Sequence, residues 1–415
     1  MKLNSVKGTN DYLPSQTKLR GYVQQKILET YESCGFERIT TPILEDMENL
    51  SKSEGGENLG LMFKILKRGE KLDEALASGN AKELSDIGLR YDLTLPLSRF
   101  YANNRASLAS PFKVIQIDRS FRAERPQRGR LREFVQCDID ILGSSSVNCE
   151  IELIDTTAKA LMSVGISNFR IRINDRRILK ELIMSAGFRD EDCESVCISF
   201  DKLDKIGPDG VKKELLDKGF PENVTEKFIN MMQVKPFTLD VARKYCTNTE
   251  AIDSVAGIID KIRQLNSDRY TIEYDCSLVR GQGYYTGTIF EIESLEFGGS
   301  VGGGGRYDNM VGKFIGENVP AVGFSIGFER IVCILNDNGF TIPDSKKKLA
   351  VIYPAESVVD AIKIADGYRN EYDVTLYEKP KKIGKLFGKL EEYGFAGCRI
   401  TDESDSIKFF GNPAE

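Results

Sequence analysis

The sequence predicts an α+β chain: an antiparallel sheet flanked by helices, interrupted by a helical insertion and followed by a smaller α/β unit. Three observations predict it. Residues 121–142 read as a strand, a tight turn and a second strand. Residues 178 to about 265 carry helical periodicity between two runs of strand. Residues 336–348 (N-D-N-G-F-T-I-P-D-S-K-K-K) have linker composition, and strand and helix alternate after them. The expected division is therefore a main domain over 1–170 and 269–336, an insertion over 171–268, a linker over 337–348 and a short α/β domain over 349–415.

The bulk properties narrow the function. Of 415 residues 41% are hydrophobic and 29% charged, the composition of a soluble globular protein. No apolar run of about 18 residues is present, so a membrane span is not expected. The first residues, M-K-L-N-S-V-K-G, lack the apolar core of a signal peptide. Nine scattered cysteines suit reduced thiols and a cytoplasmic location. Cys193 and Cys197 have no second pair and no histidine near them, which argues against zinc, and no metal ligand set is expected elsewhere. A net charge of −6 argues against bulk-charge binding of nucleic acid, DNA included, but leaves room for local basic patches. Histidine is absent altogether. Nucleophiles paired with histidine, histidine bases and histidine ligands are thereby excluded, so chemistry must run on carboxylates, arginines, lysines, tyrosines or a bound cation.

In chain order, Ser15 is a suitable N-cap for a helix with Leu19, Tyr22, Val23, Ile27 and Tyr31 at helical spacing, ended by Gly35. Phe36–Leu44 reads as a strand held at an edge by Pro42. Residues 53–88, polar and glycine-rich, read as a partly mobile insertion. Leu89–Arg99 begins as a strand with Asp92 and Thr94 on one face, a pair of acceptors able to hold an ammonium group. Ser110–Ile117 is a strand leading to the hairpin, and Glu150–Val164 an amphipathic core helix.

The hairpin, F-R-A-E-R-P-Q-R-G-R-L-R-E-F-V-Q-C-D-I-D-I-L, turns at Pro126–Gly129. Arginines 122, 125, 128, 130 and 132 crowd it, while Gln136, Asp138 and Asp140 share one face of the outgoing strand. The pattern suits a polyanion held beside a small cationic ligand; a solvated, salt-bridged hairpin fits the segment equally well. Further on, R-Y-T-I-E-Y-D-C-S-L-V-R-G-Q-G-Y-Y-T-G-T-I-F-E-I brackets Gln282 between Gly281 and Gly283, after Arg280 and before Tyr284 and Tyr285. Glycines permit close backbone approach, an arginine supplies a fixed cation, and tyrosine hydroxyls both donate and accept, as a neutral imidazole requires. Gly298–Asp308 reads as a glycine-rich loop without the spacing of a Walker or Rossmann motif. Ala321–Ile334 passes from strand to helix with Glu329 and Arg330 near the helix start. In the final unit Lys381, Lys382, Lys385 and Lys389 lie off the apolar stripe of one helix.

These segments resemble the ordered motifs of class II aminoacyl-tRNA synthetases, most closely the histidyl-tRNA synthetases. The hairpin is similar to motif 2, G-x-x-x-G-x-E-R over 323–330 to motif 3, and the first helix and strand to the dimer-forming motif 1. L-R-Y-D-L-T-x-P and L-V-R-G-x-x-Y-Y-T-G-T resemble the two histidine-specific segments, although Gln282-Gly283 stands where many members have Leu-Asp. The resemblance covers roughly residues 6–410 and implies ATP-dependent activation of histidine, with Mg²⁺, and its transfer to tRNA(His) by a homodimer. It implies Arg122 and Arg280 on the α-phosphate and the histidine carboxylate, and Glu124 and Arg330, with Arg122, on ATP. Asp92 and Thr94 take the amino group, Asp140 and Tyr285 the imidazole, with Gln136 and Tyr284 beside them. Arg125 and Gln127 are left for the acceptor stem. The final unit resembles an anticodon-binding domain, in shortened form. The alternative is a non-catalytic paralogue, the histidine-binding regulatory subunit of ATP phosphoribosyltransferase.

Overall fold

A computed structural model describes residues 3–53, 58–280 and 283–411. Gly281 and Gln282 therefore lie outside the described residues. The chain forms two compact units, one ending at Phe340 and one beginning at Thr341.

The first unit is built on an eight-stranded sheet: β1 (Glu37–Arg38), β2 (Phe112–Phe121), β3 (Glu133–Leu142), β4 (Phe169–Asp175), β5 (Thr271–Tyr274), β6 (Thr288–Ser294), β7 (Gly299–Arg306) and β8 (Ala321–Gly327). Their spatial order is β1-β2-β3-β8-β7-β6-β4-β5. The six inner strands are antiparallel, as the hairpin foreshadows, while β1 and β5 pair parallel at the two edges. One face buries Cys137, Ile139 and Ile141 under the helices Pro14–Ser33 and Asn148–Ser163. The other face of β3 carries Gln136, Asp138 and Asp140 to a cleft. Between β4 and β5 run the helices Arg176–Ala186, Cys193–Phe200, Leu203–Asp217, Glu222–Met232, Leu239–Arg243 and Glu250–Asn266.

Several sequence expectations are corrected. The first helix starts at Pro14, one residue before the expected cap. Instead of a serine cap, the Gln16 side chain accepts the Leu13 N–H at 2.8 Å. Residues 36–44 form only the short β1 before Pro42 interrupts; the next strand, Leu44–Asp46, joins a separate sheet with Lys64–Leu66 and Ser85–Leu89. Two strands of that sheet come from the segment 53–88, whose Met62 is buried with Leu50, Tyr91 and Leu95. Asp92 and Thr94 are not two positions of one strand. Thr94 opens the helix Thr94–Asn104, whose first turn tolerates Pro96, and Asp92 Oδ1 accepts the Leu95 N–H at 3.2 Å.

The expected glycine-rich loop is a strand, β7, in the middle of the sheet. Its glycines are required by crowding. A Cβ on Gly304 would stand 1.9 Å from the Gly323 carbonyl oxygen, and one on Gly305 2.7 Å from that of Thr288.

The second unit carries a four-stranded sheet, with the strand Lys347–Tyr353 between Tyr372–Glu378 and Phe395–Ile400, and Lys408–Phe409 at an edge. Ile383, Leu386, Phe387 and Leu390 of the helix Ile383–Glu392 pack on this sheet, leaving Lys381, Lys382, Lys385 and Lys389 exposed.

Candidate active site

The open face of the main sheet floors a cleft of about 650 Å³. Ten of the residues singled out from the sequence line it: Asp92, Thr94, Arg122, Glu124, Gln136, Asp140, Arg280, Tyr284, Tyr285 and Arg330. Arg125 and Gln127 do not; they stand exposed at the hairpin tip. The tip is tighter than expected. Gln127 and Arg130 exchange both backbone hydrogen bonds at 2.9 Å, so Arg128 and Gly129 make the turn, Gly129 at φ +67°.

At one end of the cleft the floor is acidic and buried. Asp138 and Asp140 are each 4% exposed. Burial holds the Asp138 carboxyl well above the usual range, and neighbouring Asp140 adds to the shift. Burial also raises Asp140, to about 7, against the opposing hydrogen bond that Tyr307 donates to its Oδ1 at 2.6 Å. The carboxylate lies across Gly323, where a Cβ would meet Oδ1 at 1.9 Å. Tyr307 is fixed in turn because its neighbour Arg306 forms a buried two-point ion pair with Glu150, at 2.7 and 2.8 Å. Tyr284 and Tyr285 lie nearby, ring centres 4.8 Å apart and planes tilted by 58°, with Tyr284 edge-on to Tyr307. The Gln136 amide donates to Asp138 Oδ2 at 3.2 Å and Ser325 Oγ at 3.3 Å. Its Oε1 and Asp138 Oδ1 are buried without a hydrogen-bond partner among the described residues. Two such acceptors beside Asp92, itself raised by burial against the opposing pull of Arg122, suit a ligand rich in N–H donors.

At the other end arginines dominate. Arg122 is sandwiched by the rings of Tyr91 and Phe134, at 4.3 and 5.1 Å, while its Nε donates to the Tyr91 carbonyl at 3.2 Å. Such stacking fixes a guanidinium plane while leaving its remaining N–H groups for a ligand. Glu124 pairs with Arg130 at 2.5 Å. Arg330 leans on Gly129 and donates to the Ser300 carbonyl; burial, then the charges of Arg130 and Arg280, push its pKa down. A cation so destabilised gains from any anion that enters. Glu329, beside it, is committed to Arg20 through two hydrogen bonds at 2.7 and 2.8 Å and accepts the Val135 N–H. Arg280 pairs with Glu291 at 2.9 Å.

Sequence reading missed Tyr307, Ser325, Glu291 and Arg172 as cleft residues, and gave Asp138 no role beyond the floor. Period two along β3 already places Asp138 in the cleft; the others depend on strand pairing across long separations in sequence.

A largely antiparallel sheet, an arginine-bearing hairpin and a cleft graded from carboxylates to guanidinium groups are the arrangement that the resemblance to class II aminoacyl-tRNA synthetases implies. The comparisons narrow this. The family model for histidyl-tRNA synthetase matches residues 8–331. A histidine–tRNA ligase of Leifsonia xyli is 41% identical, covering 95% of this chain and 88% of that protein. One from Cytophaga hutchinsonii is 35% identical, covering 93% and 89%. The crystal structure of histidyl-tRNA synthetase from Nostoc superposes with a TM-score of 0.77 at 28% identity, covering 97% of this chain and 93% of that one. The chain belongs to the histidyl-tRNA synthetase family. A Bacillus halodurans chain described as an ATP phosphoribosyltransferase regulatory subunit/histidyl-tRNA synthetase is only 19% identical at a TM-score of 0.78, a likeness of fold alone.

Proposed function

We propose that the cleft joins histidine to ATP, forming histidyl-adenylate and pyrophosphate, and passes the histidyl group to the 3′ end of tRNA(His). The observation that carries this reading is the convergence of ten residues, drawn from segments far apart in sequence, on one cleft with an acidic and a basic end. Attack of the histidine carboxylate on the α-phosphate requires no general base, since the nucleophile is already ionised. It requires alignment and cations on the charge that develops at phosphorus. Arg122 and Arg280 supply these on the carboxylate and α-phosphate, and Glu124 and Arg330 join Arg122 in holding the nucleotide.

Asp92 and Thr94 receive the amino group. Asp140 and Tyr285 address the two imidazole nitrogens, with Gln136 and Tyr284 alongside. A side chain lacking that donor and acceptor leaves buried groups unpaired, which is the stronger form of discrimination. Mg²⁺ arrives with the nucleotide as part of the substrate. In the cleft Glu124, Glu291 and Glu329 are each paired with arginine.

Arg125 and Gln127, exposed at the hairpin tip, take the acceptor stem in this reading, and the exposed lysines of 381–389 suit a tRNA backbone. The partly exposed apolar residues Leu44, Ile65, Leu66 and Ile87 on the three-stranded sheet support a homodimer. Among the described residues no helix is long and apolar enough to cross a membrane, and a cytoplasmic location is part of the same reading.

The test is exchange of labelled pyrophosphate into ATP with each amino acid in turn. Exchange with histidine alone is expected. No exchange by a folded protein that binds histidine would overturn the reading in favour of a regulatory paralogue.

A further inference from the structure

One transverse row of paired residues crosses the sheet: Asp138, Ser325, Gly303, Glu291, Arg172 and Glu273, each opposite the next on the neighbouring strand. Directly paired residues share a face, so the row is continuous on the cleft side. Its one gap in side chains is Gly303, and the Arg280 guanidinium fills that gap. A Cβ on Gly303 would lie 2.3 Å from Arg280 Nη1 and 2.5 Å from Cζ.

Arg280 reaches the gap from a left-handed backbone, φ +61°, an unfavourable conformation for a side chain of this size. The next residue in the row holds it: Arg280 Nη1 donates to Glu291 Oε2 at 2.9 Å. The other carboxylate oxygen, Glu291 Oε1, accepts from Arg172 Nη1 at 3.4 Å. Arg172 Nε donates to Asp275 Oδ2 at 2.5 Å and Nη2 to Ser277 Oγ at 3.2 Å. Asp275 Oδ1 in turn accepts from the Ser277 N–H and hydroxyl, at 2.8 and 2.6 Å. Arg172 thus grips both the carboxylate that holds the Arg280 side chain and the start of the loop that carries its backbone.

We propose that Glu291 and Arg172 are positioning residues that set the Arg280 guanidinium for charge stabilisation in the adenylation step. This rests on the reading of the cleft as a histidine-activating site. Neither residue touches the reacting atoms; Glu291 acts through Arg280, and Arg172 through Glu291 and the loop. Two further acids face this cluster from the helical segment, Asp204 at 3.9 Å from Arg172 and Asp201 in the cleft wall. A purely structural role would be shared by Arg170, two residues away on β4, which pairs with Glu273 and Glu293 at 2.9 Å each but does not line the cleft.

The experiment is histidine-dependent pyrophosphate exchange by wild type, Arg172→Met, Arg172→Lys, Glu291→Gln, the double variant Arg172→Met/Glu291→Gln and Arg170→Met, each with a thermal melt. Displacing a catalytic group by about an ångström costs on the order of 100-fold, so kcat for Arg172→Met and Glu291→Gln should fall about 10- to 100-fold, with KM for histidine and ATP within about threefold. The double variant should be no slower than the slower single one, because both changes release the same guanidinium. Arg172→Lys, which keeps the charge but loses the fork, should fall between Arg172→Met and wild type. Arg170→Met should exchange like wild type.

Additive losses in the double variant, equal losses in Arg170→Met, or a folded Arg172→Met with kcat within about twofold of wild type would overturn the proposal and leave the activity standing. Absence of exchange in the wild type would remove the activity reading and this proposal with it.

Discussion

At the floor of the cleft, Asp138 and Asp140 stand on the rigid strand β3, almost fully buried, with Tyr307 and Gln136 holding their oxygens. At the other end Arg122, Arg280 and Arg330 approach from the hairpin, a loop and a helix start, each braced by a ring, a carboxylate or a carbonyl. The acidic end is costly to leave empty: burial drives its carboxylates toward the neutral form, and Gln136 Oε1 and Asp138 Oδ1 have no hydrogen-bond partner among the described residues. At the basic end, a buried cation with cationic neighbours waits for an anion. The difference teaches how one cleft can read a small N–H-bearing side chain by exact pairing and a polyphosphate by charge. The first depends on sheet register, which a single residue's slip would destroy. The second depends on where side chains from looser segments are seated.

Two adjacent glycines of β7 break the comparison most severely, in opposite ways. For Gly303→Ala, the three atoms nearest the new Cβ all belong to the flexible end of Arg280, so stability should change little while pyrophosphate exchange falls on the order of 100-fold. For Gly304→Ala, the new Cβ meets the Gly323 carbonyl at 1.9 Å and the Phe290 ring at 2.8 Å. Urea unfolding should show a loss of about 3 kcal/mol or more, because backbone cannot step aside.

A smaller effect sharpens the acidic end. Asp140 titrates near 7 when folded against an ordinary carboxyl value near 3.8. The folded form then holds the proton more tightly, so the associated stability is present at low pH and lost as pH rises from about 4 through 7. Asp140→Asn should remove up to one proton's worth of this slope, about 1.4 kcal/mol per pH unit, in urea unfolding followed from pH 5 to 8. An unchanged slope would show that Asp140 is not protonated in the free protein near neutrality.

Much of this was legible in the sequence. The hairpin arginines and the period-two carboxylates follow from local pattern, which the strand geometry of β3 obeys. Asp92 and Thr94 were paired for a reason that proved incomplete, a shared strand face: a helix begins at Thr94, and both residues line the cleft. The glycine run was read as a loop because glycine is a poor strand former. In β7 it is demanded by the carbonyls, rings and guanidinium pressed against it from neighbouring strands and the Arg280 loop. The link from Arg172 to Glu291 could not be read at all, because 119 residues separate partners that only the register of β4 on β6 joins.

The most direct test of the two-ended cleft is calorimetric titration of Asp140→Asn with histidine and, separately, with ATP. Tyr307 can still donate to the asparagine oxygen, so the fold around the site is expected to hold. Mispairing one imidazole nitrogen should weaken histidine binding by about 2 kcal/mol, roughly 30-fold, with ATP affinity within about twofold of wild type. Equal loss of both ligands, or histidine binding as tight as wild type, would contradict the account.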